Sequence, residues 1–164
     1  MNLSFQYANK NELAATLPMC FALLHANMNI IVPTGNSYEK DFDDWYSEVY
    51  PAMQKEPRQI VLLYDGDVLI GYFQYYVSRG TLMMEEIQLR KEYQGSGVFR
   101  AFYSWLLNEL PKDLERVEAY AHKRNTKSQG ILEHLGLLRC GENKNGNSYF
   151  YRGSYSSLFS KYGK

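Results

Sequence analysis

Leu89-Arg90-Lys91-Glu92-Tyr93-Gln94-Gly95-Ser96-Gly97-Val98-Phe99 is the stretch on which the fold turns. It lies between a run of strand character, residues 81–89, and a run of helical periodicity that starts near Phe99. Gly95 and Gly97 strip side chains from a strand-to-helix turn and adopt positive φ cheaply. The backbone N–H groups of such a turn, with the positive end of the helix dipole behind them, suit a phosphate group. A glycine-rich turn taken alone serves equally well as a tight connection. Nucleotide loops fit less well, because no Lys-Ser or Lys-Thr follows the glycines and no full G-x-G-x-x-G is present.

Upstream of the turn, Gln59-Ile60-Val61-Leu62-Leu63-Tyr64 reads as a strand. Asp65-Gly66-Asp67 is a hairpin signal, and residues 68–77 are its partner strand. Ser78-Arg79-Gly80 turns the chain again into residues 81–89. Downstream, Phe99, Phe102, Tyr103, Leu106, Leu107 and Leu110 recur at helical spacing, and Pro111 ends that helix. Residues 117–122 form a strand. Asn125 caps a further helix with Ile131, Leu132 and Leu135 as its buried stripe, and Gly136 ends it in the left-handed conformation. Residues 138–142 and 148–152 make a closing hairpin around Asn145-Gly146. Residues 154–164 form a short helix or a frayed tail.

In the first third, residues 3–7 alternate apolar and polar as a strand does. Asn9 and Glu12 mark a helix start, and Leu13, Leu17, Phe21 and Leu24 give its apolar stripe. Pro18 is expected to bend or split this helix, with His25 at its end and a loop over residues 30–36. Ser37 caps a second helix through Tyr38, Phe42, Trp45, Tyr46 and Val49 to about Met53. Its acids, Glu39, Asp41, Asp43, Asp44 and Glu48, make one face negative: a solvated face, or a rim that attracts an amine.

Strand-rich and helix-rich pieces interleave over 164 residues, which suits one layered α/β domain spanning 1–164. Eighteen basic residues balance eighteen acidic ones, which argues against a broad nucleic-acid footprint. Two cysteines, Cys20 and Cys140, suggest neither a metal site nor a disulfide framework. They suit buried free thiols in a reducing cytoplasm. No secretory signal and no apolar run of about 20 residues is visible, so no membrane partner is expected. The 15 tyrosines are too many to bury with every hydroxyl satisfied, so many must line a cleft or the surface. Oligomeric state, monomer or homodimer, is left open.

Gln94-Gly95-Ser96-Gly97 resembles the acyl-coenzyme A turn of the GCN5-related N-acetyltransferase family, whose pattern is Gln or Arg, two residues, Gly, one residue, then Gly or Ala. Gln94 and Gly97 match, and Phe99 stands where a small residue is usual. Leu89 and Tyr93 resemble the hydrophobic and aromatic residues that precede the family's turn. Asn125, Ser128, Gly136 and Leu137 resemble its second signature, whereas Leu132 replaces the usual Tyr, a general acid toward the thiolate. The likeness runs over residues 60–152.

The resemblance implies a central, mixed, mostly antiparallel sheet of about six to seven strands flanked by helices and splayed at the cofactor site. It implies acetyl-coenzyme A as cofactor, and a small-molecule or peptide amine as acceptor. The pyrophosphate would lie on the N–H groups of Gln94, Gly95, Ser96, Gly97, Val98 and Phe99. The pantetheine arm would pair with the strand at Ile87 and Leu89, and Asn125 and Ser128 would contact the cofactor or start their helix. For the base the choice is Glu85, which shares strand parity with Ile87 and Leu89. Glu86 on the opposite face is the alternative, and His122 a further candidate. Trp45, Tyr120 and Tyr149 are expected to line the acceptor side, and the acid is Tyr149, Tyr151 or water, or else the thiolate leaves without a dedicated acid. With Leu132 and Phe99 departing from the pattern, a non-catalytic acyl-coenzyme A sensor or interaction module is the second reading.

Overall fold

The computed structural model describes residues 1–55 and 57–163. The order is β1 (Leu3–Tyr7), α1 (Leu13–Ile31), α2 (Tyr38–Gln54), β2 (Gln59–Asp65), β3 (Val68–Ser78), β4 (Thr81–Leu89), α3 (Val98–Glu109), β5 (Arg116–His122), α4 (Thr126–His134), β6 (Leu138–Glu142), β7 (Ser148–Ser154) and α5 (Tyr155–Tyr162). The strands form a seven-stranded, mostly antiparallel sheet in the order β1-β2-β3-β4-β5-β7-β6. The chain divides into two compact units, Met1–Gln74 with Glu86–Gly95, and Tyr75–Glu85 with Ser96–Lys164. Lys164, the last residue of the expected tail, lies outside the described residues.

In the first unit β1 pairs antiparallel with β2, Leu3 opposite Asp65 and Tyr7 opposite Val61. Leu13, Leu17, Cys20 and Leu23 of α1 bury one stripe against Met53, Ile60, Leu62 and Tyr72. Ser37 caps α2 by accepting from the Lys40 N–H, as its position predicts. Three expectations for α1 fail. Asn9 caps a 3-10 turn, Lys10–Glu12, and α1 proper starts only at Leu13. Pro18 does not split the helix, because it stands one and a half turns in, where a single backbone bond is forfeited while the stripe around it stays buried. Nor does α1 end near His25. It runs on to Ile31, and Asn27 in that extension donates to the Leu89 carbonyl at 2.9 Å.

In the second unit, β4 and β5 pair in parallel, from Thr81 opposite Arg116 to Met84 opposite Ala119, with α3 as the crossover that a parallel pair requires. β5 pairs antiparallel with β7 over its whole length, and β6 covers the other side of β7. α3 buries Val98, Phe102, Tyr103, Leu106 and Leu107. Each of its aliphatic and Phe side chains contributes about 1.5–3 kcal/mol by leaving water. The C-terminal residues form a true helix, capped by Ser154 and anchored by the buried Tyr155, Leu158 and Tyr162.

Candidate functional site

β4 ends at Leu89, and the Arg90 N–H donates to the Ile70 carbonyl at 2.7 Å, which fixes where the turn departs. A 3-10 turn, Lys91–Tyr93, follows. The Gln94 side chain donates back to the Leu89 carbonyl at 3.1 Å, so this residue braces the turn. Gly95 has φ 77° and Gly97 φ 88°, both in the left-handed region that favours glycine. A Cβ built on either would meet no atom within 4 Å. Backbone conformation therefore demands these glycines, and the space above them is open. Gly97 is the N-cap of α3 and, as a glycine, supplies no side-chain cap to the first-turn N–H groups. An exposed, uncapped helix start behind two bare glycines fits a phosphate.

Phe99 does not stand over this turn. With Arg100, Tyr103, Lys127, Ile131 and Tyr162 it lines a groove of about 430 Å³ among α3, α4 and α5. Arg100 and Lys127 give this apolar groove two cations.

Asn125 accepts from the Ser128 N–H at 3.1 Å and so caps α4. His122 is committed to the same turn: its Nδ1 accepts from the Arg124 N–H at 3.1 Å and its carbonyl accepts from Asn125 N–H and from Gln129 Nε2. Tyr120 is half exposed and packs on Phe150, with ring centroids 5.0 Å apart. Tyr149 lies under the Arg139 guanidinium, 3.7 Å from its ring centre, and Tyr151 is fully buried with its hydroxyl 3.4 Å from Arg139 Nη2. Leu132 is buried in α4. Cys140 is exposed, contrary to the expectation of a buried thiol, because every residue of β6 faces outward.

On the first unit, Trp45 packs with Phe21 and Phe42 in an aromatic group that also includes Tyr38 and His25. The acidic face of α2 is smaller than its sequence suggests. Asp41 accepts from Thr34 Oγ1 at 2.6 Å and from Asn36, and faces His25 Nε2 at 3.8 Å. Asp44 pairs with Lys40 at 2.8 Å. Glu39, Asp43 and Glu48 remain as the outward acids.

Glu85 and Glu86 follow the β4–β5 ladder, each partly buried. Glu86 Oε1 accepts from Gln88 Nε2 at 2.6 Å, and Gln88 Oε1 accepts from Asn27 Nδ2 at 3.0 Å. Close by, burial and then the charge of Glu86 push the Tyr72 phenol well above its ordinary value. Gly71 lets β3 approach β4 here, since a Cβ on it would lie 2.5 Å from the Gln88 carbonyl oxygen. Periodicity gave no notice of Asn27 or Gln88. The available signal was a Gln at an inward strand position, where an apolar residue is the rule.

Among the described residues no helix is long and apolar enough to cross a membrane. No curated protein sequence matches the chain. Solved structures do match it in fold. An acetyltransferase from Thermus thermophilus has a TM-score of 0.73 at 17% identity, covering 94% of this chain and 97% of its own. The PaiA N-acetyltransferase from Thermoplasma acidophilum, solved with coenzyme A, has a TM-score of 0.74 at 11% identity over 94% and 100%. The spermidine/spermine N-acetyltransferase SpeG from Vibrio cholerae has a TM-score of 0.61 at 15% identity over 97% of both. Residues 21–137 match the acetyltransferase (GNAT) family, whose acyl donor is acetyl-coenzyme A, and the chain belongs to that family.

Proposed function

We propose that the protein is an N-acetyltransferase that uses acetyl-coenzyme A to acetylate a primary amine of a small molecule or peptide. The observation that carries this is the turn itself: two left-handed glycines under open space, ahead of an α3 start with no side-chain cap. When bound, the cofactor supplies a thioester, an activated acyl group. The N–H groups from Gly95 to Phe99 hold its pyrophosphate, while that of Gln94, expected among them, instead donates to the Lys91 carbonyl at 3.2 Å. Arg100 and Lys127 place positive charge beside the groove that would take its nucleotide end. β4 beyond Met84, past the end of its ladder with β5, carries backbone groups of Ile87 for the pantetheine amides, while the Leu89 carbonyl is already taken by the Asn27 and Gln94 side-chain amides.

The reaction forms an amide C–N bond and breaks a thioester C–S bond. The acceptor must react as the neutral amine, so its proton passes to a carboxylate of the Glu85–Glu86 pair, directly or through water, and from there to solvent. The thiol is reprotonated from solvent, since Leu132 cannot donate and Tyr151 is buried against Arg139. His122 is better suited to shaping its turn than to serving as base. The outward acids Glu39, Asp43 and Glu48 favour a cationic acceptor, and SpeG's spermidine makes a polyamine the first to try. The place of action on this reading is the cytoplasm, where Cys20 and Cys140 stay reduced.

Incubation with acetyl-coenzyme A and spermidine, a short diamine and a peptide with a free N-terminus, read by mass spectrometry, tests the reading. A product heavier by one acetyl group in place of a hydrogen supports it. The second reading, an acyl-coenzyme A sensor, is favoured by the buried Leu132 where the family's Tyr is usual. Tight cofactor binding with no product from any amine would select it.

A further inference from the structure

Asn27, Gln88 and Glu86 form a directed chain of hydrogen bonds within the first unit. Asn27 Nδ2 donates to the Leu89 carbonyl at 2.9 Å and to Gln88 Oε1 at 3.0 Å, and Gln88 Nε2 donates to Glu86 Oε1 at 2.6 Å. The directions are forced. A backbone carbonyl only accepts, so the end of Asn27 that faces Leu89 is its NH2. That NH2 also faces Gln88 and must meet the amide oxygen. The NH2 of Gln88 is left to face Glu86, and an ionised carboxylate only accepts.

This arrangement runs against local preference. Gln88 is 6% exposed at a strand position where a β-branched apolar residue would pack better. A buried amide is tolerated only with its partners supplied. The supply comes from the extension of α1 past His25, which exists in the fold with no apolar repeat to predict it. The Tyr72 hydroxyl nearby is fully buried and has no hydrogen-bond partner among the described residues, so it stays protonated and adds no second negative charge beside Glu86.

We propose that Asn27 and Gln88 are positioning residues that fix the carboxylate of Glu86 for proton removal from the acceptor amine, which makes Glu86, rather than Glu85, the base. This rests on the acetyltransferase reading above. The bond from Gln88 holds Oε1 and with it the direction of the whole carboxylate. Such pre-set orientation matters in the step that takes the proton and not in cofactor binding.

The test is a cycle of Glu86→Gln, Gln88→Leu and the double variant, with Asn27→Leu alongside. Steady-state kinetics are read with acetyl-coenzyme A and the best acceptor, cofactor affinity by calorimetry, and folding by denaturant unfolding. Glu86→Gln is expected to lower kcat by about 100-fold or more, the usual scale for losing a general base. Gln88→Leu should lower kcat by about 10-fold to 100-fold, with KM for acetyl-coenzyme A unchanged. In the Glu86→Gln background Gln88→Leu should cost nothing further, because its effect passes through Glu86. A loss from Gln88→Leu that persists in that background, or one that appears in KM and cofactor affinity instead of kcat, overturns the positioning role. Full turnover in folded Glu86→Gln overturns the assignment of the base while leaving the acetyltransferase reading intact. Absence of turnover in the unaltered protein with every acceptor overturns that reading and this proposal with it.

Discussion

The Tyr93 phenol donates to Asp65 Oδ2 at 2.8 Å while the Asn2 backbone N–H donates to Oδ1 of the same carboxylate at 2.8 Å. One side chain at the β2–β3 hairpin thus ties the N-terminus to the residue that precedes the glycine turn. The Asn2 N–H first, and the Tyr93 hydroxyl second, hold Asp65 below its ordinary value of 3.8.

A depressed carboxylate contributes stability that is present above its unfolded value and lost as pH falls through its folded one. Melting temperature measured from pH 6 down to pH 2 should therefore fall less steeply below about pH 4 in Asp65→Asn than in the unaltered chain. Tyr93→Phe should keep part of the slope, since Asn2 still donates. Identical acid limbs in all three proteins would contradict this account of Asp65.

The close approach of β3 to β4 predicts that Gly71→Ala is poorly tolerated. The new Cβ would lie 2.5 Å from the Gln88 carbonyl oxygen, and a backbone atom cannot swing aside. The expected loss is about 1–3 kcal/mol in urea unfolding, the usual scale of overpacking. Because the displaced strand carries Gln88, turnover should drop more than cofactor affinity. A neutral Gly71→Ala would show that the strands separate at no cost.

The two thiols should behave oppositely. Cys20 is fully buried in the α1 core, and burial pushes its thiol up to about 12, while Cys140 is exposed on β6. A thiol reagent at pH 8 should label one cysteine in the native protein and the second only in denaturant. Raising a thiol's value in the fold contributes stability present below the unfolded value of 9.0 and lost as pH rises beyond it. Cys20→Ser should therefore remove part of the alkaline loss of stability. Rapid labelling of both thiols in the native state would contradict the buried placement.

Asn125→Ala removes the α4 cap and should cost about 0.5–2 kcal/mol in unfolding experiments. Ser128→Ala, which keeps the accepted N–H, should cost less. If Asn125 also holds the cofactor, calorimetry will show weaker acetyl-coenzyme A binding in Asn125→Ala at a temperature where it remains folded. Unchanged affinity would restrict Asn125 to its helix.

Much of the fold was legible because its signals are local. Ser37, Asn125 and Gly136 act through their own neighbours, and the alternation of β1 and the hairpin signal at Asp65-Gly66-Asp67 need no partner to be read. The glycine turn was legible for the same reason, as φ at Gly95 and Gly97 is a property of those residues. What stayed hidden depends on partners distant in sequence. α1 outlasts its apolar stripe because Asn27 reaches a residue 61 positions away. Pro18 is accommodated by core contacts that outweigh one lost backbone bond. Counting acids overestimated the negative face of α2, since Asp41 is committed to Thr34, Asn36 and His25. Strand parity separates Glu85 from Glu86 but cannot say which of them has a built support.

The central claim is that the open glycine turn binds acetyl-coenzyme A. A calorimetric titration of acetyl-coenzyme A, coenzyme A and ATP into the unaltered chain and into Gly97→Val tests it most directly. At φ 88° a β-branched residue is strained by about 1–2 kcal/mol, so the variant should remain folded while its backbone shifts at the turn. The predicted result is binding of both coenzyme A forms, no binding of ATP, and an affinity weakened by about tenfold or more in Gly97→Val, a difference of about 1.4 kcal/mol or more. Absence of binding to the unaltered chain, or equal affinity in the folded variant, would contradict it.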